Sequence, residues 1–469
     1  MSITEQAATF ASGLTYDALP EDALHVARRC MIDGIGQFIA GASSPPVRHV
    51  ADDVIDQGGR PDALVIGRSD VRVPAPLAAR VLGTAGHAHD WDDTQATRDP
   101  RHVYGLLTHP TIAPLAAALA MGQRRGTGSG KAFMTAFQAG FEVECKIAEW
   151  MLPEVYKRGF HASAAEATFA AAVTAGKLLA LDVECMRTAI GIAASNAAAG
   201  IRANVGTMTK PLHFGKAAEN GVMAALLAAR GMEAGRDALD GDFGFLSVFA
   251  GGVFEEKLGE GFGSTLSIVD PGVAVKPYPS GILSHQAMDA MLALVQEHDI
   301  QPDQVEAATF HAGSNILKPL AYRHADDHMQ AKFCMPALLA MCILRRRAGH
   351  HEFEDDFIRS APMQALQRRI SVSLDPEIEA KGFDKIRSRI ELLTIDGHRL
   401  EIRADERYRG SPDNPMTDEE IERKFLICTE GALSAGQQRS LLDAIWTIDG
   451  ETENAASLAR MMTTPPASE

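Results

Sequence analysis

Pro76-Leu-Ala-Ala-Arg-Val-Leu-Gly-Thr-Ala85, running into Gly86-His-Ala-His-Asp-Trp-Asp-Asp-Thr94, is the stretch whose reading decides the fold. Its first part is small and apolar, and reads as a helix buried in a closely packed helical body. Its second part carries two histidines and three carboxylates within seven positions. That is too much ionisable chemistry for a packing element, because unpaired buried charge is costly. With the helix continued to 94, His87, Asp90 and Thr94 share one face, and His89 and Asp93 a neighbouring one. The spacing predicts a pocket beside a buried helix.

Outward from this stretch, apolar residues recur at helical spacing over Pro20–Ala42, then over 77–94, 110–124, 130–151, 163–181, 183–199 and 214–230. Ser163-Ala-Ala-Glu166 has the pattern of a capping box, and Gly231 that of a helix stop. Strand alternation is nearly absent before 265, so the first half reads as all-helical. Beyond it the pattern becomes mixed: Val305–Ala312 and Ile370–Leu374 alternate as strands, and two further runs flank the turn pair Asp396-Gly397. A second capping box, Thr417-Asp-Glu-Glu420, opens helices that reach about 447. The fold class is therefore mainly α. A large helical domain is expected over 1–265 plus 410–450, interrupted by a smaller α+β domain over 266–409, with a disordered tail over 451–469.

The chain has 469 residues, ample for two domains, with 46% hydrophobic and 23% charged residues. Its formal charge of −16 argues against a nucleic-acid partner and makes any lysine inside an apolar motif conspicuous. Six scattered cysteines fit a reduced compartment better than a disulfide framework. The opening Met-Ser-Ile-Thr-Glu-Gln lacks the regions of a signal peptide, and no apolar run approaches a membrane span. The expectation is a cytoplasmic protein with no membrane partner.

Four further motifs carry chemistry. In Leu106-Leu-Thr-His109-Pro110-Thr, Pro110 fits the first position of a helix and leaves His109 at its N-cap, where free N–H groups suit a carboxylate. Arg158-Gly-Phe-His161 sets a histidine just before a helix. Thr207-Met-Thr-Lys210-Pro holds a lysine among small residues, suited to pairing with a carboxylate. Val273-Ala-Val-Lys276-Pro-Tyr-Pro-Ser ends a strand on another lysine. Each has a bland alternative: a hydrated helix end for the acids, a simple helix start for His-Pro, a loop histidine for His161, and surface lysines. Together they fit a small di- or tricarboxylate and proton transfer. No cofactor is called for, and a metal site from His87, His89 and Asp93 is not favoured, because the helical pitch splits them between faces.

In this order the motifs resemble those of the MmgE/PrpD family, which includes 2-methylcitrate dehydratase, cis-aconitate decarboxylase and iminodisuccinate epimerase. The resemblance runs from Asp33-Gly-Ile-Gly to Ala331-Lys-Phe-Cys-Met-Pro. It implies a helical domain with a smaller α+β lid, usually in a homodimer. It also implies a site lined by Asp90, Thr94, His109, His161, Lys210 and Lys276, with Tyr322 matching a lid-side tyrosine. The link from Gln95 to Thr108 is longer than in the decarboxylase- and epimerase-like members, and its Arg101 is expected to bind substrate. The implied activity is a cofactor-independent lyase of the 2-methylcitrate dehydratase kind, with cis-aconitate-type decarboxylation or epimerisation as alternatives. Asp90 or His161 would be the base, His109 the acid, and the two lysines would stabilise a carbanion. Terpenoid cyclisation, also suggested by Asp90-Trp-Asp-Asp-Thr, is disfavoured by only 6% aromatic residues. A non-catalytic binding or assembly role is the remaining alternative.

Overall fold

The computed structural model describes residues 1–97, 108–126, 128–152, 154–161, 163–197, 200–252, 261–382, 385–450 and 455–463, apart from the side chains of residues 69 and 455. The fold is mainly α. Two compact units form through their described residues: Met1–Gln95, Leu106–Val273 and Thr417–Glu469 make the first, Ala96–Gly105 and Ala274–Met416 the second. No described helix is long and apolar enough to cross a membrane.

The first unit is a helical body whose contacts depend on small residues. Helix Thr209–Ala228 packs against both Ala75–Gly86 and Ser163–Leu178. Where it crosses Ala75–Gly86 the two backbones nearly touch. A Cβ on Gly83 would lie 2.6 Å from the Phe214 carbonyl oxygen, and one on Gly215 would lie 2.2 Å from Thr84 Oγ1. Any side chain at this crossing would push the helices apart. The crossing fixes the C-terminal end of one helix beside the first turn of the other, which carries Lys210. Phe38, Phe137, Phe141, Phe169 and Phe214 fill the interior and are fully buried.

Two helix boundaries beside the site differ from the sequence expectation, and one hairpin was not expected. The helix from Ala75 stops at Gly86 rather than continuing to 94, and His87 already leaves helical geometry. Helix Thr209–Ala228 begins five residues before the expected 214, so Lys210 lies in its first turn. The first half also holds an antiparallel hairpin, Ala63–Val65 with Arg68–Val73, around Gly67. Its first strand has only three residues, too few to show a period in the sequence.

Helix Asp418–Thr429 carries the expected capping box between Thr417 and Glu420. It packs on Glu21–Gly41, burying Ile421 and Phe425. The tail expected to be disordered is helical over Ala455–Met461, because Leu458 and Met462 find an apolar surface to bury against.

The second unit is built on a four-stranded sheet in the order Arg399–Arg403, Ser388–Thr394, Val305–Ala312, Ile370–Leu374. The hairpin at Asp396-Gly397 pairs Ile390 with Ile402, and Val305–Ala312 pairs in parallel with Ile370–Leu374. Alternate residues Ala308, Phe310, Ile390 and Leu392 are buried. Helices His285–Glu297 and Met335–Arg345 lie against this sheet.

Candidate active site

Because the helix ends at Gly86, His87–Thr94 forms a buried loop in the first unit. The loop turns at Asp90, whose φ of 54° lies in the left-handed region that an aspartate tolerates better than most residues. His87, Asp90, Asp92, Asp93 and Thr94 are all buried. Lys424 holds the loop from below: its Nζ donates to the Trp91 carbonyl at 2.7 Å and pairs with Asp33 at 2.6 Å.

Asp92 is the anionic hinge of the cluster. His87 Nδ1 lies 2.9 Å from its Oδ2, and His109 Nδ1 lies 3.2 Å from the same oxygen. Burial alone would raise Asp92, but these two histidines overcome it and hold the carboxyl well below the usual range. Burial pushes His87 down to about 3, Lys210 adding to the effect and Asp92 opposing it. The Phe214 ring, 4.3 Å from that of His87, supplies part of this dry wall. His87 is therefore a neutral imidazole against an ionised Asp92.

Lys210, in the first turn of Thr209–Ala228, places Nζ 2.7 Å from His87 Nε2 and 3.3 Å from Asp90 Oδ2. His109 Nδ1 donates to the Asp93 carbonyl at 2.6 Å, which keeps a hydrogen on Nδ1 and leaves Nε2 as the second reactive nitrogen. Helix Ile112–Arg125 begins two residues later than Pro110 suggested, so Thr111, not His109, stands at its N-cap. Thr111 Oγ1 instead donates to Asp93 Oδ2 at 2.6 Å.

His161, on the short strand Phe160–His161, pairs with Gly200. Its Nδ1 lies 3.1 Å from His213 Nδ1, and its ring centroid is 5.6 Å from that of His87. Burial, with Lys210 nearby, pushes His161 well down and His213 to about 4, so both are neutral near pH 7.

Behind Asp93 lies a second set of acids. Burial raises Asp93 to about 7 and Glu166 to about 7, and raises Glu144 well above its ordinary value. Glu166 accepts from Thr108 Oγ1 at 2.8 Å. Among the described residues, Asp93 Oδ1, Thr94 Oγ1, Glu166 Oε2 and both Glu144 carboxyl oxygens have no hydrogen-bond partner.

The structure thus brings together Asp90, His109, His161 and Lys210 of the expected set, with Thr94 buried at the end of the same loop. Lys276 and Tyr322 belong to the second unit: Lys276 is buried there, and Tyr322 is half-buried and forms a backbone bridge to Cys334. Arg101 lies outside the described residues. Sequence reading left out His213 as a partner of His161, the tie of His87 and Asp92 to Lys210, and the support from Asp33 and Lys424. Lys424 carried a legible signal, a lysine in line with Ile421, Phe425 and Cys428 on a helix face.

His87, Asp90 and His109 place one ligand-type atom each within 4.8 Å of one another, the one such group of three among the described residues. His89, by contrast, meets the Ala40 carbonyl at 3.2 Å. The Lys210 ammonium already lies against two of those three residues. The donor set suits an anion better than a metal ion, since the built-in cation would repel a second one.

Two family models match the chain: the MmgE/PrpD N-terminal domain over residues 5–257 and the MmgE/PrpD C-terminal domain over 278–449. The chain belongs to the MmgE/PrpD family. It is 26% identical to cis-aconitate decarboxylase of Mus musculus, across 99% of this chain and 94% of that protein. The human protein of the same name is 27% identical, over 99% and 95%. That of Aspergillus terreus is 25% identical, over 96% and 94%.

Proposed function

We propose that this protein removes carbon dioxide from a small tricarboxylate of the cis-aconitate type, with the first-unit cluster as its catalytic centre. The chain is a lyase of the MmgE/PrpD type. The observation that carries the finer reading is the placement of Lys210 Nζ against His87 and Asp90, in a buried cluster that also holds His109 and His161.

In the proposed reaction the bond to one carboxylate breaks and carbon dioxide leaves. The electron pair shifts through the adjacent double bond onto the carbon beside a second carboxylate, and a proton is added there. The developing charge spreads onto that carboxylate, where a lysine ammonium in a dry site stabilises it far more than in water. Lys210 takes this role, His109 delivers the proton from Nε2 when both its ring nitrogens carry hydrogen, and Asp90 and His161 handle the proton in the steps around it. Thr94, whose hydroxyl has no hydrogen-bond partner among the described residues, orients a carboxylate. Each proton-transfer group contributes on the order of 100- to 10,000-fold.

The same proposal includes Lys276 as a catalytic and Tyr322 as a substrate-binding residue, a homodimeric assembly and a cytoplasmic location. Loss of water from a hydroxy-tricarboxylate uses the same groups and is the competing outcome.

The test is product analysis by proton NMR, with the purified protein incubated separately with cis-aconitate, citrate, 2-methylcitrate and tartrate. Carbon dioxide and a terminal alkene from cis-aconitate support the proposal. Dehydration of 2-methylcitrate with cis-aconitate untouched would replace it with the hydro-lyase reading.

A further inference from the structure

We propose that His87 is a positioning residue for Lys210: clamped by Asp92 through Nδ1, it presents Nε2 as the acceptor that aims the Lys210 ammonium at Asp90 and the reacting carboxylate. The part of this that concerns the reacting carboxylate rests on the role proposed for Lys210 above.

The geometry allows one assignment of hydrogens. Asp92 is held as a carboxylate and only accepts, with both oxygens within 3.0 Å of His87 Nδ1, so Nδ1 carries the hydrogen. In the neutral ring Nε2 then carries a lone pair. The atom 2.7 Å from it is Lys210 Nζ, which donates. The result is a three-member chain, ammonium to imidazole to carboxylate, with all three side chains buried.

A lysine side chain has four rotatable bonds and a point charge at its end, so its aim must come from its partners. Here the partner is itself immobile. The Phe214 ring covers His87, Asp92 pins it, and the close crossing of Ala75–Gly86 with Thr209–Ala228 sets its distance from Lys210. The burial that pushes His87 down to about 3 keeps Nε2 an acceptor throughout the working pH range.

Two substitutions separate this role from simple core packing. In His87→Gln the side-chain oxygen reaches the place of Nε2 and can still accept from Lys210. In His87→Asn the amide reaches only the place of Nδ1, so the bond to Asp92 survives while that to Lys210 is lost. With cis-aconitate, His87→Gln is expected to keep kcat within about tenfold. His87→Asn is expected to lose roughly 100-fold in kcat with little change in KM, the scale of a misplaced reacting group. Equal losses in the two variants, or a more active His87→Asn, would overturn the proposal.

Nitrogen-15 NMR of the histidine rings gives an answer independent of turnover and of the variants' folding. The expected spectrum has a neutral Nδ1–H ring for His87 from pH 5 to 8, with an Nε2 resonance that moves when Lys210→Met removes the donor. An Nε2–H tautomer, or an Nε2 resonance indifferent to Lys210→Met, would contradict it. If wild-type protein decarboxylates no tricarboxylate, the functional reading fails while the NMR result still decides the role of His87.

Discussion

Asp92 and Asp93 are neighbours in sequence and equally buried, yet they face two different chemical regions. On the Asp92 side, carboxylate, imidazoles and ammonium compensate one another, and burial makes the set rigid and reactive. On the Asp93 side, Asp93 accepts from Thr111 and Glu166 from Thr108, and burial drives both, with Glu144, toward the neutral acid. The difference shows that burial does not dictate the charge of a carboxyl; the nearest partner does. One strand of loop backbone divides a charged working surface from a dry acid wall.

Substitutions on the charged side have the largest expected effects. Lys210→Ala or His109→Ala should lower kcat by at least about 1,000-fold while leaving the fold intact, as read by turnover and circular dichroism. A fully active double variant would remove the distinction between the two sides. The anchor beneath the loop comes next. Lys424→Met leaves Asp33 buried without its cation, at a cost of roughly 3–5 kcal/mol in chemical denaturation. A loss under about 1 kcal/mol would mean that the loop is held by other contacts.

The comparison itself is sharpened by paired amides. Asp92→Asn should lower kcat on the order of 100-fold, because His87 and His109 lose their shared anion. Asp93→Asn should stay within about tenfold, since Asp93 is already largely protonated below pH 7. Equal losses would place both acids on the working side.

The smallest effect is one of pH. With Asp93 and Glu166 at about 7, the folded chain keeps protons that the unfolded chain has already lost. Their contribution to stability therefore falls as pH rises from about 4 to about 7. His87 and His213, at about 3 and about 4, act in the opposite sense. Their contribution is full above about 6.5 and is lost as pH drops toward 4. Glu166→Gln should accordingly raise Tm by a few degrees at pH 8 and leave it unchanged at pH 4.5, as followed by differential scanning calorimetry. An equal shift at both pH values would mean that Glu166 carries no buried charge.

Much of this was legible in the chain. The alanine-rich runs announce close helix packing, and residues 86–94 announce chemistry by placing charge where packing alone would exclude it. The capping box at Thr417 and the Asp396-Gly397 turn are local signals, and local signals survive into the structure. The helix end at Gly86 was not legible, because His-Ala-His keeps helical spacing while Asp90 takes a left-handed conformation that no neighbour specifies. Nor could the sequence say which of three adjacent aspartates is ionised. For Asp92 that is decided by His87 and His109, and the loop itself is fixed by Lys424, 333 positions from the Trp91 carbonyl it holds. Residues so far apart in the chain leave no pattern to read.

The central claim is that the charged side of this loop receives a substrate carboxylate. A crystal structure with propane-1,2,3-tricarboxylate, a saturated and unreactive stand-in, tests it directly. The account predicts one carboxylate within hydrogen-bond distance of Lys210 Nζ and His109 Nε2. A ligand bound away from both would contradict it.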